Sequence, residues 1–168
     1  MRSSRRREVE ATARCLLDVS AAPAAALVGA GFNPSFGCRL GRRIGAEASL
    51  FVGALADLEA RGERWGVGAG GGLALRVAVA PDTLFGWYLR ARLATAKLFY
   101  EFRDEVFFMP GVNAGYRGLF FDGRFSWDVG AGAQLLWEVK RQERTLSRAL
   151  LPILYLRLGL PLPLVRRP

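Results

Sequence analysis

The sequence predicts an all-β protein: an antiparallel, up-and-down β-barrel of eight strands that spans a membrane. Apolar residues recur at every second position in segment after segment, most of these segments run ten or more residues, and short turns alternate with longer polar links. Strands of water-soluble domains are typically about five or six residues long, whereas a membrane-crossing strand needs about 9–11. The 168 residues are enough for one such domain.

The predicted strands follow one another along the chain. The first and least regular lies at about 14–23, "RCLLDVSAAP", or in part of 20–30. It is included because a strand must precede 32–40 if the chain starts on the side of the short turns, and it makes the number of strands even, as such barrels require. The others lie at 32–40, 44–54, 65–80, 85–99, 106–120, 125–139 and 153–162. In 125–139 every second residue from Phe125 to Val139 is apolar, and the opposite parity is polar or small except for Leu136.

The connections between these strands alternate in length. Short turns are predicted at 41–43, 81–83 and 121–123, the last with the turn-forming pair Asp122-Gly123. Longer polar links are predicted at 55–64, 100–105 and 140–150. We therefore expect a barrel domain over 14–163, flanked by a basic, disordered tail at 1–13 and a basic tail at 164–168.

Two barrels fit this alternation, and they differ in which face is inside. A water-soluble barrel would turn its apolar face inward and bind a hydrophobic ligand, and this alternative stays open. A barrel of the outer membrane turns its apolar face toward lipid. The polar parity favours the second arrangement because it is rich in small residues, among them Gly66, Gly68, Gly70 and Gly72. We interpret these glycines as room for long arginine side chains in a narrow lumen.

The charged residues of the polar parity form the predicted site, a charge network inside the lumen. Its members are Arg39, Glu47, Arg76, Arg90, Arg92, Arg117, Asp128, Glu138 and Arg157. Buried charges need partners, so we expect the three acids to form salt bridges with neighbouring arginines and to plug the lumen. The three surplus arginines would hold water or a small anion.

The tryptophans predict an aromatic girdle on the opposite, lipid-facing parity. It would consist of Trp65, Trp87, Trp127 and Trp137. Trp127 and Trp137 lie ten residues apart on one face, which is roughly 33 Å along a strand at ~3.3 Å per residue. With a tilt of about 40° the axial separation is roughly 25 Å, the height of an outer-membrane apolar band.

The stretches "NPSFGCRLGRRIGAEASLFVGAL" and "GVNAGYRGLFFDGRFSWDVGAGAQL" resemble an uncharacterised group of small eight-stranded bacterial outer-membrane barrel proteins. The resemblance covers roughly residues 14–162. It implies a monomer in the bacterial outer membrane, with the lipid bilayer and lipopolysaccharide as partners. A signal peptide is not recognisable, since charges interrupt the apolar part of the first 30 residues.

The residue inventory argues against an enzyme. There is no histidine, which removes Ser-His-Asp and Cys-His nucleophiles and histidine-based zinc sites. Two cysteines, Cys15 and Cys38, cannot make a four-cysteine metal site and predict no disulfide framework, although a single bridge between them stays open. The spacing Gly66-x-Gly68-x-x-Gly71 matches a dinucleotide fingerprint, but the alternating stretch that follows predicts a strand where that site requires a helix.

We therefore expect a non-enzymatic barrel with a structural or surface-interaction role and without a cofactor, and small-solute passage is a variant of this expectation. Nucleic acid is not an expected partner. The net charge of +9 is concentrated at the chain ends, and no basic stripe with exposed aromatic residues accompanies it.

Overall fold

The computed structural model describes residues 4, 8–9, 12–21, 29–56, 65–100, 103–139 and 148–163. Eight antiparallel strands pair in chain order, and the last pairs with the first to close a barrel. The strands are β1 (Ala13–Ala21), β2 (Gly29–Arg39), β3 (Ile44–Ala56), β4 (Trp65–Ala78), β5 (Gly86–Tyr100), β6 (Arg103–Phe120), β7 (Phe125–Val139) and β8 (Arg148–Pro163). The predicted eight-stranded antiparallel barrel is confirmed, and the segment predicted as first strand is β1.

The two faces of the barrel have opposite chemistry, with the apolar parity outside. In β4, Leu73 and Leu75 are 69% and 58% exposed, whereas Ala74 and Arg76 between and beside them are buried. The same inversion holds around the barrel, because buried arginines, aspartates and a glutamate occupy the interior while leucines and valines cover the exterior. Water-soluble domains place these residue types the other way round.

The start of β1, the end of β8 and three connections lie at one end of the barrel, which we call the turn end. The connections there are 40–43, 79–85 and 121–124, and the opposite end is the link end. The turns are joined to each other, since the Asp82 backbone N–H donates to the Arg42 carbonyl and Arg42 Nε donates to Asp82 Oδ2 at 3.1 Å. A short 3₁₀ turn, Phe121–Gly123, leads into β7.

Two predicted connections differ most from those observed. The turn predicted at 81–83 is longer, and Phe85, predicted on the outer face of the next strand, belongs to this turn and is buried. The link predicted at 100–105 is shorter, because β5 and β6 continue until Tyr100 pairs with Arg103. The polar residues at 100–105 do not end β5 and β6, because the backbone hydrogen bonds that pair the two strands do not depend on side-chain polarity.

An apolar plug closes the lumen at the turn end. It consists of Ala13, Leu16, Leu84, Phe85 and Leu119, and Val9 packs against it. Leu84 and Phe85 lie in the extended turn between β4 and β5, which explains why this turn is longer than its two neighbours: it folds two large side chains into the barrel mouth. No helix in the described part of the chain is long and apolar enough to cross a membrane.

The glycines of β4 have a different role from the predicted one. A Cβ atom on Gly70 would collide with the Thr95 carbonyl oxygen and lie 2.7 Å from Ala96 Cα, and a Cβ on Gly72 would lie 2.8 Å from Ala94 Cβ. The interpretation that they leave room for arginines was therefore wrong for Gly70 and Gly72. They are required because the backbone of β5 approaches β4 closely on the inner face of this tightly curved sheet.

Cys15 on β1 and Cys38 on β2 are directly paired across the two strands and form a disulfide. The sequence predicted no disulfide framework and left only this single bridge open. Strand register explains the outcome, because the pairing that sets Asp18 opposite Ser35 also sets the two cysteines opposite each other.

Replacing both cysteines by serine is expected to lower the free energy of unfolding by about 3 kcal/mol, the loop-closure value for residues about 23 apart. Urea unfolding of the folded barrel, with and without reductant, measures this loss. Reductant should destabilise the unmodified protein and leave the double variant unchanged. An equal response of both proteins to reductant would contradict the bridge.

Candidate functional site

The interior of the barrel is crossed by one network of buried polar side chains, which we call the polar belt. Its members are Asp18, Ser35, Glu47, Arg76, Tyr88, Arg90, Asn113, Arg117, Asp128, Tyr155 and Arg157. Each strand contributes at least one of them. Strand alternation places all of them on the inner face, because each stands between two outward-facing neighbours.

The first part of the belt centres on Arg117 of β6. Its Nε and Nη2 donate to Asp128 Oδ2 on β7 at 3.1 and 2.7 Å, and Nη2 also donates to Asp18 Oδ2 on β1 at 2.8 Å. Asp18 and Asp128 are 2% and 0% exposed, so both carboxylates are removed from water. One buried arginine therefore pairs with carboxylates from two strands that lie on either side of β8.

Two tyrosines, Tyr88 and Tyr155, connect the two halves of the network across the lumen. The Tyr88 hydroxyl hydrogen-bonds Asp128 Oδ1 and the Tyr155 hydroxyl. Asn113 Nδ2 donates to Tyr155 Oη at 2.7 Å, and Arg90 Nε donates to Asn113 Oδ1 at 3.0 Å. The tyrosine rings also face cations, since the Arg90 Cζ atom lies 4.7 Å from the Tyr155 ring centroid.

The last part of the belt centres on Glu47 of β3. Arg90 Nη1 donates to both Glu47 carboxylate oxygens, at 3.1 and 3.3 Å, and Arg157 Nη1 donates to Glu47 Oε1. Arg157 Nη1 also donates to Ser35 Oγ at 3.2 Å. Glu47 has the same role as Arg117 with the signs of charge reversed. It is one buried charge that pairs with two opposite charges from other strands, here β5 and β8.

Arg76 joins β4 to the belt without a carboxylate partner among the described residues. Its Nη2 donates to the Leu84 carbonyl at 2.5 Å, and its Cζ lies 4.1 Å from the Tyr88 ring centroid. These contacts hold the guanidinium between the apolar plug and the belt.

The structure places the nine predicted network residues in three groups. Glu47, Arg76, Arg90, Arg117, Asp128 and Arg157 lie in the polar belt. Arg39 and Arg92 face the lumen and are partly exposed, and each has one buried guanidinium nitrogen without a partner. The side chain of Glu138 lies outside the described residues.

Five belt residues were missed as site residues: Asp18, Ser35, Tyr88, Asn113 and Tyr155. The four without a formal charge stood on the polar parity, and only charged residues were selected. Asp18 was interpreted as a charge that interrupts an apolar N-terminal stretch. The signal that identifies it is its position between Leu17 and Val19, which are both about 40% exposed on the outer face.

Glycines make the belt possible where large side chains cross the lumen. A Cβ on Gly115 would lie 2.6 Å from the hydroxyl oxygens of both Tyr88 and Tyr155, and a Cβ on Gly159 would collide with Asp18 Oδ1. The general expectation that small residues make room for large ones holds here, but the large residues are tyrosines and an aspartate.

The predicted girdle residues lie at the two ends of the outer surface. Trp87 and Trp127 both pack against Tyr116 near the turn end, with ring centroids 5.3 and 5.5 Å apart. Trp137 packs edge-on against Phe108 toward the link end. Trp65 begins β4 at the link end, and its side chain lies outside the described residues.

The carboxylates of the belt all accept hydrogen bonds from buried arginines, so they are held as charge partners. Within the described ranges there is no group of three or more histidine, cysteine, aspartate or glutamate side chains that could hold a metal ion.

Comparisons with known proteins add no family to this picture. No protein-family model matches the chain, and no curated protein or solved structure matches it significantly.

Proposed function

We propose that the protein is an integral β-barrel of the bacterial outer membrane, with a lumen plugged by the polar belt and a non-enzymatic structural or surface-interaction role. The observation that carries this proposal is the inverted distribution of residues, with an apolar exterior around a charged interior. Soluble monomers rarely expose a contiguous apolar patch larger than a few hundred Å². Here outward leucines, valines and phenylalanines on all eight strands are 39–72% exposed.

The aromatic residues of the outer surface support the same placement. Trp87, Trp127 and Tyr116 form one cluster near the turn end, and Trp137 and Phe108 form another toward the link end. Outer-membrane barrels carry such girdles at both interfaces of an apolar band about 25 Å tall. The water-soluble alternative requires the apolar parity inside, which is the reverse of the observed orientation.

Two further features fit the outer membrane. The Cys15–Cys38 disulfide belongs to an oxidising compartment, such as the bacterial periplasm or cell surface. The closed barrel has no free strand edge with which to recruit another sheet, which favours a monomer surrounded by lipid and, in the outer leaflet, lipopolysaccharide.

The packed belt favours a structural or interaction role over solute passage. Its ion pairs are buried, and the apolar plug lies between them and the turn end. A continuous channel would need an unfilled path past both layers. We therefore propose that the protein acts through its outer surface, which would contact other components of the cell envelope.

The decisive experiment is expression with an added signal peptide, followed by fractionation and a gel of heated and unheated samples. We expect recovery in the outer-membrane fraction, extraction only by detergent, and a mobility that changes on heating as the barrel opens. Recovery as a soluble monomer without detergent would overturn the proposal.

A pair of arginine substitutions tests the lipid contact at single residues. Leu73 in the middle of β4 and Val79 just beyond its turn end are 69% and 65% exposed. In phospholipid vesicles Leu73→Arg should lower the free energy of unfolding by about 2–4 kcal/mol, and Val79→Arg by at most about 1 kcal/mol, because the cost falls toward the interface. Urea unfolding measures both. If the outer face met water, both changes would cost less than about 0.5 kcal/mol.

A further inference from the structure

On the link-end side of the polar belt, the large side chains of the described inner face are mostly apolar, and Asn33, Ser49 and Gln134 are its polar members. We call this lining the upper chamber; its large members are Phe51, Phe107, Met109, Leu136, Leu151 and Ile153. Strand alternation fixes their direction, because the adjacent Leu50, Val106 and Leu154 are 64%, 42% and 62% exposed on the outer face. The inner parity is thus polar only in part, which the sequence pattern of charges did not reveal.

The upper chamber is accessible to solvent, whereas the side chains of the belt are buried. Five of its six large side chains are half-buried although they face the interior, and Phe107 is buried. A side chain that faces into a barrel and is still reached by solvent borders an internal space. The part of this wall formed by β4 and β5 carries only small residues, since Gly70 pairs with Ala96 and Gly72 with Ala94 on the inner face.

Arg92 stands where the chamber meets the belt. It lies on β5 between Arg90 of the belt and Ala94 of the chamber wall, and it is partly exposed to the lumen. Its Nε is buried and has no hydrogen-bond partner within the described ranges. Among the described lumen side chains, six arginines accompany three carboxylates, so positive charge is in excess within the described part of the lumen. The arginines are 39, 76, 90, 92, 117 and 157, and the acids are 18, 47 and 128.

We propose that the upper chamber binds a single-chain amphiphile with one anionic head group, of which a fatty acid is the simplest example. The hydrocarbon chain would pack against the apolar lining, and the head group would bind Arg92, whose planar guanidinium suits carboxylates and phosphates. Arg92 lies eight residues from the end of β5 at Tyr100, which is roughly 20 Å along the axis at ~3.3 Å per residue and about 40° of tilt. The chamber therefore has the depth to take an extended chain.

Photolabelling with a fatty acid that carries a diazirine at the chain end tests this directly, because strand parity separates the lumen from the bilayer. The barrel is labelled in phospholipid vesicles, and the modified residues are mapped by mass spectrometry. We expect labelling of Phe51 and Met109 that excess unlabelled fatty acid suppresses. Labelling confined to outward residues such as Leu50 and Val52 would overturn the proposal.

Two variants separate the chain from the head group. Met109→Trp should fill the chamber and abolish inward labelling, whereas Leu50→Trp, on the outer face, should leave it unchanged. Arg92→Gln should weaken binding of the fatty acid by about tenfold or more, the loss of a charge-assisted hydrogen bond, and leave binding of the matching fatty alcohol within about twofold. Heat-modifiable gel mobility shows that each variant still closes.

The head group can also be tested on the unmodified barrel, should Arg92→Gln fail to fold. The fatty acid should label inward residues at a lower concentration than the alcohol does, and equal labelling by both would overturn the role of Arg92. The proposal concerns only the interior and does not depend on the membrane placement. If the barrel were water-soluble, the same labelling would be run in detergent-free buffer, so the two proposals fail separately.

Discussion

Replacement of Asp128 by asparagine is expected to lower the free energy of unfolding by about 3–5 kcal/mol, the usual cost of removing one partner from a buried ion pair. Asp128 is completely buried and accepts hydrogen bonds from Arg117 and Tyr88. Asparagine keeps the shape of the side chain and removes its charge, so no cavity forms. Arg117 would keep Asp18 alone as its charged partner, and the hydrogen bonds from its Nε and Nη2 to position 128 would no longer be made to a charged acceptor.

Urea unfolding of the folded barrel measures this effect, and Asp82→Asn is the matched control. Asp82 also pairs with an arginine, but the side chains of Arg42 and Asp82 are 80% and 55% exposed. Exposed ion pairs typically contribute about 0–1 kcal/mol because water and salt screen them. If the two variants lose the same stability, the polar belt does not hold the barrel together.

The second large effect is expected at Gly70, where leucine should prevent the barrel from closing. A Cβ at this position collides with the Thr95 carbonyl oxygen and crowds Ala96 Cα, so the whole β4–β5 pairing would have to move. The neighbouring change Ala69→Leu adds the same kind of side chain on the exposed outer face, where it should be tolerated. Gel mobility of unheated samples gives the folded fraction of each variant.

The comparison of folded fractions between Gly70→Leu and Ala69→Leu is informative whichever variant folds better. A folded Gly70→Leu barrel together with an unfolded Ala69→Leu barrel would mean that the inside and the outside had been exchanged. Because the two residues are adjacent in one strand, differences in expression or chain length cannot account for such a result.

The strands and the identity of the two faces were predictable from the sequence because both depend on a period of two, which is a local property. The apolar residues of 125–139 mark one face of β7 without any knowledge of its neighbours. Strand ends were less predictable: the turn at 79–85 is longer than predicted because Leu84 and Phe85 fold into the lumen.

The partners within the belt were not predictable, because they depend on which strands meet across the lumen. Arg117 and Asp18 are 99 positions apart, and Arg157 and Glu47 are 110 apart. Charge identified the arginines but not the tyrosines that connect them. Tyr88 and Tyr155 act through uncharged hydroxyl groups, and nothing in the sequence distinguishes these from other uncharged polar groups on the same face. The glycines of β4 were recognised as unusual from the sequence. The close approach of β5 that requires them depends on the curvature of the sheet, which a single strand does not reveal.

The belt has a consequence for how the barrel assembles. Arg157 and Tyr155 arrive on the last strand, whereas Asp18 and Glu47 lie on the first and third. Until β8 docks, Glu47 lacks Arg157 and the Tyr88 hydroxyl lacks Tyr155, so an incomplete barrel would hold unmatched polar groups in its interior. Unmatched buried polar groups lower the stability of such intermediates, so we expect the barrel to fold cooperatively. Because the partners of Glu47 and Tyr88 come from β8, only a barrel that has received its final strand becomes stable.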